Sequence, residues 1–322
     1  MKAIIFEKTG GPEVLQYVDR DLAAPGAGEV TLRHTAIGLN FVDCYYRSGL
    51  YSSALPSGLG NEGAGVIEAL GEGVKGFKVG DRVAYGTGPL GAYSEKRNFP
   101  ANRLVKLPKA ISDETAAGMM LKGMTVRYLL RATYKVKRGQ TVLLHAAAGG
   151  VGLILSQWAK ALGVKVIGTV GSAEKMQTAY DHGCAYVINS STEDVAARVK
   201  EITKGQGVPV VYDGVGKATF QTSLECSAMR GMLVSFGNAS GPVTGIGLGV
   251  FAAKSLYVSR PTLFAYTRTD AEFQETAQDV VDIVKSGKVK IAINQRYALK
   301  DAQQAHQDLE ARRTTGASIL LP

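Results

Sequence analysis

Two patterns of apolar and polar residues divide this chain. From residue 2 to about residue 107, apolar and polar residues alternate over short runs that Gly and Pro interrupt, as at 29–37 and 65–71. A period of two is typical of strands with one buried face, so this part is predicted to be a mainly β domain. A helical pattern follows at about 116–130.

Beyond residue 140, short apolar runs alternate with segments of helical period. The runs lie at 141–144, 164–170, 185–188, 208–213, 231–236 and 255–259. Repeated strand–helix units predict a parallel sheet covered on both faces. A polar helix at about 270–286 and closing strands at 291–298 and 317–321 are too few for another domain, and we expect them to complete the first one.

The first run of this second half leads into a glycine-rich turn. The segment reads Thr141-Val-Leu-Leu-His-Ala-Ala-Ala-Gly-Gly-Val-Gly152. Gly149 and Gly150 would let the backbone approach a pyrophosphate, Gly152 would let the helix pack on its strand, and the helix N-terminus offers N–H groups to an anion. The turn therefore predicts a dinucleotide-binding site. A plain tight turn stays open as the alternative, because Ala147 replaces the first glycine of the usual motif.

The end of the next strand favours NADPH over NADH. An NAD-selective site would place Asp or Glu there to accept from the ribose 2′-hydroxyl. This chain instead reads Gly171-Ser172-Ala-Glu-Lys175, in which Ser172 can donate a hydrogen bond and Lys175 supplies a cation for a 2′-phosphate. The alternative is that Ser172 caps a helix and Lys175 is a surface charge.

Composition and charge narrow the class of protein. The chain has 322 residues, 45% of them hydrophobic and 20% charged, which suits a two-domain globular protein. The net charge of +9 comes from dispersed Lys and Arg, so we interpret it as ordinary surface with attraction for an anionic cofactor and do not expect nucleic-acid binding. No apolar stretch reaches the length of a signal peptide or a membrane span, and we expect a cytoplasmic protein.

Cysteine and histidine give no metal-binding pattern. Cys44, Cys184 and Cys226 are odd in number, widely spaced and outside any C-x-x-C arrangement, which argues against a disulfide framework or a structural zinc site. The four histidines, at 34, 145, 182 and 306, are scattered, and we interpret each as a surface or core residue.

Several phrases spread over the chain carry a resemblance to a known family. They include Asn40-Phe-Val-Asp43, Leu59-Gly-Asn-Glu-Gly-Ala-Gly-Val66, Leu121-Lys-Gly-Met-Thr125, Val211-Tyr-Asp-Gly-Val215 and Ser235-Phe-Gly-Asn238. With the glycine turn, they make the chain resemble the medium-chain dehydrogenase/reductase superfamily, and within it the zinc-free quinone oxidoreductases related to zeta-crystallin.

The resemblance implies the fold and the assembly. It implies an α/β protein with a Rossmann doubly wound parallel sheet that binds NADPH at 123–262. It also implies a mainly β GroES-like catalytic domain at 1–122 and 263–322, with the reaction in a cleft between the two. The family implies a homodimer that pairs through the edge of the nucleotide-binding sheet.

Two positions where the superfamily's alcohol dehydrogenases bind catalytic zinc are changed. Asn40 lies near the family's cysteine, and Gly60-Asn61-Glu62 stands where the family has a Gly-His-Glu phrase. Asn is a poor zinc ligand because its amide oxygen is neutral and hard. Without a Lewis acid, alcohol oxidation loses the group that would stabilise an alkoxide, whereas a quinone accepts electrons unaided. The resemblance thus implies metal-free NADPH:quinone reduction.

The resemblance also implies the residues of the site. Asn40, Tyr45 and Tyr51 would act on the acceptor. The alternative for the two tyrosines is that they are exposed loop residues that only cover the site. A structural role stays open for Asp43 and Tyr128, and loop packing for Phe236 and Asn238. The residues that would contact the cofactor are Asn40, Phe41, Asp43, Thr125, Tyr128, Gly149, Gly150, Val151, Gly171, Ser172, Lys175, Ser190, Phe236 and Asn238.

Ser190 stands where the family has a tyrosine over the adenosine, so a hydroxyl contact with phosphate is expected there in place of stacking. The spacing of residues supports neither a Ser-His-Asp set nor paired carboxylates, and we expect catalysis by positioning. Two other functions stay open. The same cleft could reduce an enone or an enoyl thioester, or the protein could be a non-catalytic, crystallin-like binder of NADPH or RNA.

Overall fold

The computed structural model describes all 322 residues. Its strands are β1 (Lys2–Phe6), β2 (Gln16–Asp19), β3 (Glu29–Leu39), β4 (Ser57–Gly58), β5 (Glu62–Leu70), β6 (Arg82–Tyr85), β7 (Lys96–Pro100), β8 (Val105–Lys106), β9 (Thr141–Leu144), β10 (Lys165–Val170), β11 (Tyr186–Asn189), β12 (Val208–Asp213), β13 (Ser227–Ser235), β14 (Tyr257–Ser259), β15 (Ile293–Ala298) and β16 (Ala317–Leu321). Its helices are α1 (Phe41–Ser48), α2 (Asp113–Tyr128), α3 (Gly150–Ala161), α4 (Glu174–Asp181), α5 (Val195–Ile202), α6 (Phe220–Cys226), α7 (Leu263–Tyr266), α8 (Asp270–Lys285) and α9 (Ala302–Glu310). None of these helices is both long and apolar enough to cross a membrane.

The chain divides into two compact units. The β unit comprises Met1–Met124, Thr267–Lys285 and Ile291–Pro322, and the α/β unit comprises Thr125–Tyr266 and Ser286–Lys290. The first boundary between the units lies within α2, after Met124, and the second lies after Tyr266. The sequence analysis expected these two boundaries after residues 122 and 262.

The α/β unit is built on a six-stranded parallel sheet in the order β11-β10-β9-β12-β13-β14. Numbered from β9, this is the 3-2-1-4-5-6 order of a Rossmann fold, which confirms the predicted fold class. Leu143, Ile167 and Val211 of the central strands pack with Val199 of α5 and Leu224 of α6. These strands are almost continuously apolar because both faces of a parallel sheet are covered.

The β unit contains a seven-stranded sheet and a three-stranded one. The larger has the order β15-β16-β3-β5-β6-β8, with β7 also paired to β3, and the smaller is β2-β1-β4. The C-terminal β16 pairs antiparallel with β3, so the closing strands return to the N-terminal sheet as the sequence predicted. Phe6, Leu32 and Phe99 are fully buried in its core, where Tyr85 stacks on Phe99 at 4.1 Å between centroids.

Candidate active site

The glycine-rich turn joins β9 to α3 and leaves the start of that helix open. Gly149 precedes the helix in an extended conformation and contributes no side-chain cap. A Cβ on Gly152 would lie 2.5 Å from the carbonyl oxygens of both Ala146 and Ala147, so a side chain cannot fit there without moving the backbone. The uncapped N-terminus, reached through Gly149, Gly150 and Val151, fits a pyrophosphate.

The turn after β10 fits the adenosine end of a phosphorylated dinucleotide. A Cβ on Gly171 would meet no atom within 4 Å, so the backbone there is open. Ser172 and Lys175 flank the start of α4, and the Lys175 N–H donates to the Ser172 carbonyl at 3.3 Å. Glu174, the first residue of α4, is exposed. A hydroxyl and a cation thus lie at the carboxyl end of β10, which suits a 2′-phosphate.

Ser190 has a hydrogen bond within the protein that the sequence did not predict. Its hydroxyl donates to the carbonyl oxygen of Val170 at 3.0 Å, so its proton is directed at the end of β10. The neighbouring Ser191 hydroxyl donates to the Gly171 carbonyl at 2.7 Å. Both serines tie the end of β11 to the turn after β10, and a phosphate at Ser190 would have to compete with a carbonyl for this proton.

A buried chain of polar side chains, the histidine chain, joins the ends of β9, β10 and β12. His145 Nδ1 lies 3.0 Å from the Thr169 hydroxyl, and its Nε2 lies 3.1 Å from Ser223 Oγ. Ser223 donates to Asp213 Oδ2 at 2.7 Å, so it must accept from the Nε2–H of His145. Burial lowers the pKa of His145, which keeps the ring neutral.

The histidine chain brings together a Ser, a His and an Asp that their spacing did not predict. The order is that of a structural network, because Ser223 donates to the carboxylate and not to the imidazole. In a hydrolytic triad the serine would donate to the histidine.

Asp213 also holds the loop that follows β12. Its Oδ1 accepts from the N–H groups of Val215 and Gly216 at 2.9 and 3.0 Å and from the Thr219 hydroxyl at 2.8 Å. A Cβ on Gly214 would lie 2.8 Å from the Phe236 ring, so that ring packs on the glycine. These contacts give Asp213 a structural role.

The other predicted residues of the α/β unit differ in their surroundings. Tyr128 is buried and stacks on Tyr266 with centroids 4.6 Å apart and planes 4° apart, which favours the structural alternative for Tyr128. Thr125, in the same helix, is also buried. With its oxygen toward Arg260, the Asn238 amide accepts from Nη2 at 3.0 Å and donates to the Gly237 carbonyl at 3.1 Å.

In the β unit, Asn40 begins helix α1. Asn40 has an extended backbone, and its N–H donates to Asp43 Oδ2 at 2.9 Å, which satisfies one donor at the start of the helix. Gly49 ends the helix in the left-handed region, with φ of 84°. Asn40 is 6% exposed. The cap therefore fixes a nearly buried amide at the positive end of α1.

A buried ion pair lies beside the Asn40 amide. Lys122 Nζ and Asn40 Nδ2 both donate to Oε2 of Glu62, at 3.0 and 2.8 Å, and the Leu121 N–H donates to Oε1 at 2.9 Å. The side chains of Lys122 and Glu62 are 6% and 0% exposed. Glu62 thus has both oxygens occupied, and it directs the nitrogen of Asn40 toward itself.

Asp43 is the centre of a second polar network in the β unit. Its carboxylate accepts from Asn61 Nδ2 at 3.2 Å and from the Tyr93 hydroxyl at 3.0 Å. Tyr93 lies 3.1 Å from His306 Nε2, and Arg47 Nη1 lies 3.0 Å from His306 Nδ1. Because arginine can only donate, Nδ1 accepts and the proton lies on Nε2.

Burial sets the charges of this network. Desolvation raises the pKa of Asp43 to about 7, against which its hydrogen bonds act. Desolvation, with the nearby Arg47 charge, lowers the pKa of His306 to about 3. Since both oxygens of Asp43 are bonded within the protein, the structure favours the structural role that the sequence had left open for it.

The residues at the position of the family's zinc do not fit that metal. Asn40 turns its amide nitrogen toward Glu62, and Asn61 turns its own toward Asp43. The amide oxygen that each has left is neutral and hard, which makes it a poor ligand for zinc. The Lys122 ammonium already neutralises Glu62, and a second cation would be repelled.

Aromatic rings form a cluster on α1 and the loop after it. Tyr51 packs edge-on against Tyr45 and Tyr46, with centroids 5.3 and 5.7 Å apart, and Phe41 lies 6.4 Å from Tyr45. The Tyr51 N–H donates to the Tyr45 carbonyl at 3.0 Å. Rings that start one residue after the Asn40 cap can stack on a planar acceptor.

Sequence reasoning did not find Lys122, Tyr93 or His306. They are 50 or more residues from their partners Glu62, Asp43 and Arg47, so no local pattern joins them. One signal was available for Lys122, because it stands in the run Met119-Met-Leu-Lys-Gly-Met124, and a charge inside an apolar helical run indicates a buried partner.

Two family models match the chain. The alcohol dehydrogenase GroES-like domain matches residues 26–109, and the zinc-binding dehydrogenase model matches residues 150–286.

Three known proteins show how close the likeness is. A quinone oxidoreductase of Pseudomonas aeruginosa is 58% identical over 100% of this chain and 99% of its own length. A solved structure of Escherichia coli quinone oxidoreductase complexed with NADPH has a TM-score of 0.98 at 52% identity and covers 100% of both chains. A 2-haloacrylate reductase of a Burkholderia species is 44% identical over 99% of this chain and 98% of its own length.

Proposed function

This chain belongs to the quinone oxidoreductases of the medium-chain dehydrogenase/reductase superfamily, and we propose that it reduces quinones with NADPH and without a metal. The observation that carries the proposal is the exchange of zinc ligands for amides beside a Lys122–Glu62 ion pair. Such a site suits an acceptor that needs no Lewis acid.

In the α/β unit, the residues at the carboxyl ends of the strands would hold NADPH. The backbone of Gly149, Gly150 and Val151 binds the pyrophosphate at the start of α3, and Ser172 and Lys175 bind the 2′-phosphate, with Gly171 giving them room. When bound, NADPH supplies a hydride equivalent. The residues that contact its nicotinamide half are Thr125, Phe236 and Asn238.

In the β unit, Asn40 and Phe41 contact the nicotinamide ring of NADPH, and Tyr45 and Tyr51 contact the quinone. The packed aromatic cluster supports stacking against a flat ring and limits the access of water. Glu62 holds the Asn40 amide in one orientation. Catalysis then depends on alignment of the two reactants.

Cofactor titration and acceptor profiling test this function. We expect turnover of NADPH with 1,4-naphthoquinone and 9,10-phenanthrenequinone. Lys175→Met should weaken NADPH binding by about 10- to 100-fold, as expected for loss of one charge-assisted hydrogen bond, and should leave NADH binding unchanged. Lys165→Met, an exposed lysine at the opposite end of β10, is the control. Equal affinities of the wild type for NADPH and NADH would contradict the assignment.

A second candidate reaction is reduction of an activated double bond. The 44% identity to a 2-haloacrylate reductase over nearly the whole chain favours it. A panel of 2-alkenals and 2-haloacrylates separates the two reactions. Turnover of these acceptors in the absence of turnover with either quinone would select the double-bond reductase.

We also propose that the protein is a cytoplasmic homodimer that pairs through the edge of the six-stranded sheet. β14 pairs with β13 on one side and forms the edge of that sheet. Tyr257 on this strand is 63% exposed, and Leu248 nearby in the chain is 86% exposed. Large exposed apolar side chains beside an edge strand are typical of association. Sedimentation should give a dimer, and Leu248→Asp with Tyr257→Asp should give a monomer.

The proposed cytoplasmic location rests on the cysteines. The three buried thiols accord with a reducing compartment.

A further inference from the structure

The ammonium of Lys122 has more hydrogen-bond donors than the protein uses. A lysine ammonium has three N–H donors. One of them meets Glu62 Oε2 at 3.0 Å, and this is the ammonium's one hydrogen bond within the protein, although the residue is only 5% exposed. A buried charge with unmade hydrogen bonds is costly. The remaining donors therefore indicate a binding partner from outside the chain.

A second buried group beside this ion pair is also incomplete. Asn61, which precedes Glu62, is 2% exposed, and its Oδ1 has no hydrogen-bond partner. The region around the pair thus offers spare donors and a spare acceptor, which matches a polar ligand atom or water and does not match a closed core.

The ammonium lies next to the residues that we assign to the acceptor. Lys122 Nζ and Asn40 Nδ2 share one oxygen of Glu62, and Asn40 caps the helix that carries the aromatic cluster. The N-terminal end of α1 adds positive potential in the same place. These groups together favour negative charge on an oxygen atom at this point.

We infer that Lys122 is a further catalytic residue, whose ammonium donates a hydrogen bond to the acceptor oxygen that gains negative charge during reduction. This inference rests on the proposed function. In the whole reaction, the quinone takes a hydride from NADPH and one proton from solvent, giving hydroquinone and NADP⁺. Lys122 keeps its proton throughout and acts by its charge and its hydrogen bond.

A purely structural role makes a different prediction. If Lys122 only neutralised Glu62, removing both charges together would restore activity, because the neutral pair leaves no buried ion. Lys122→Met and the double variant Lys122→Met/Glu62→Gln therefore separate the two roles. The Gln side chain keeps the shape of Glu62 and an acceptor for Asn40.

We expect kcat of the double variant to stay about 100- to 1000-fold below wild type, the usual loss on removal of one oxyanion donor, with NADPH affinity unchanged. Arg82→Met/Asp113→Asn removes another ion pair of the β unit, bonded at 2.5 Å, and should keep wild-type kcat. Recovery of the Lys122→Met/Glu62→Gln variant to within about threefold of wild type would show a structural role and overturn the inference.

A probe that is not turned over gives an independent readout. We would titrate 4-nitrophenol into the protein and follow the phenolate absorbance near the pKa of the free phenol. The wild type should raise the ionised fraction of the bound phenol, and the double variant should not. Absence of this shift in the wild type, or an equal shift in both, overturns the role of Lys122. Failure of wild-type quinone turnover alone would instead contradict the proposed function.

Discussion

Both units contain buried polar side chains, and the histidine chain of the α/β unit is more completely bonded than the groups around the Lys122–Glu62 ion pair of the β unit. In the α/β unit, both nitrogens of His145 have partners, and Asp213 accepts from four groups of the chain. In the β unit, the Lys122 ammonium uses one of its donors, and Asn61 Oδ1 has no partner.

This difference separates structural polar groups from groups available to a ligand. A fully bonded network gains nothing from a bound molecule and holds the loops around it in one arrangement. An incomplete network remains costly until a ligand or water completes it. The histidine chain therefore holds the carboxyl ends of β9, β10 and β12 in place, while the ion pair of Lys122 is left open to a ligand or water.

The largest effect is expected from breaking the histidine chain. Asp213→Ala would leave two loop N–H groups and two hydroxyls without their acceptor, and we expect the free energy of unfolding to fall by about 4 kcal/mol. Urea denaturation followed by circular dichroism measures this. Asp181→Ala is the control, because that carboxylate meets an exposed Gln177 amide at 2.7 Å. A decrease in the free energy of unfolding of under 1 kcal/mol would mean that water replaces the carboxylate. The histidine chain would then not be the more stabilising of the two sets of polar groups.

A smaller effect is expected from pH. His306, with a pKa lowered to about 3 from 6.5, stays neutral when folded, so acid below pH 6.5 favours the unfolded state. Asp43, with a pKa raised from 3.8 to about 7, binds its proton more readily when folded, so acid between pH 7 and 4 favours the folded state. The two contributions oppose each other between pH 6.5 and 4.

Substitutions of these two residues should therefore change the slope of the unfolding free energy against pH in opposite directions. As the pH falls, the free energy of unfolding should decrease more steeply in Asp43→Asn and less steeply in His306→Gln than in the wild type. Each slope should change by about 1.4 kcal/mol per pH unit. The unfolding free energy measured from pH 4 to 8 tests both. His182→Gln, at a half-exposed histidine whose Nδ1 meets the Thr178 carbonyl, is the matched control. Parallel curves for all three variants would contradict the assigned charges.

The smallest effect is expected from removing the incomplete group. Asn61→Ala loses one hydrogen bond of 3.2 Å to Asp43 and also removes an unbonded buried oxygen, so the loss of stability should be about 1 kcal/mol or less. Ser223→Ala removes a hydroxyl bonded on both sides and should cost about 2 kcal/mol. The reverse order would show that Asn61 Oδ1 is satisfied in solution and carries stability.

Local patterns were enough to predict much of this protein. The alternation of strands and helices beyond residue 140 and the glycine turn predicted the parallel sheet and its dinucleotide-binding site, because strand period and turn chemistry act over a few neighbouring residues. The resemblance placed Asn40, Asn61 and Glu62 at a changed metal site. It did not predict that Asn40 and Lys122 would share one carboxylate oxygen.

By itself, then, the sequence determined the order of elements, the fold class and the candidate cofactor residues. The tertiary structure alone decided which polar groups meet, as in Lys122 with Glu62, Tyr93 with His306, and His145 with Ser223. The physical reason is that hydrogen bonds and charges act over a few ångströms in space. Residues separated by 60 to 213 positions come within that distance only when the sheets and helices pack.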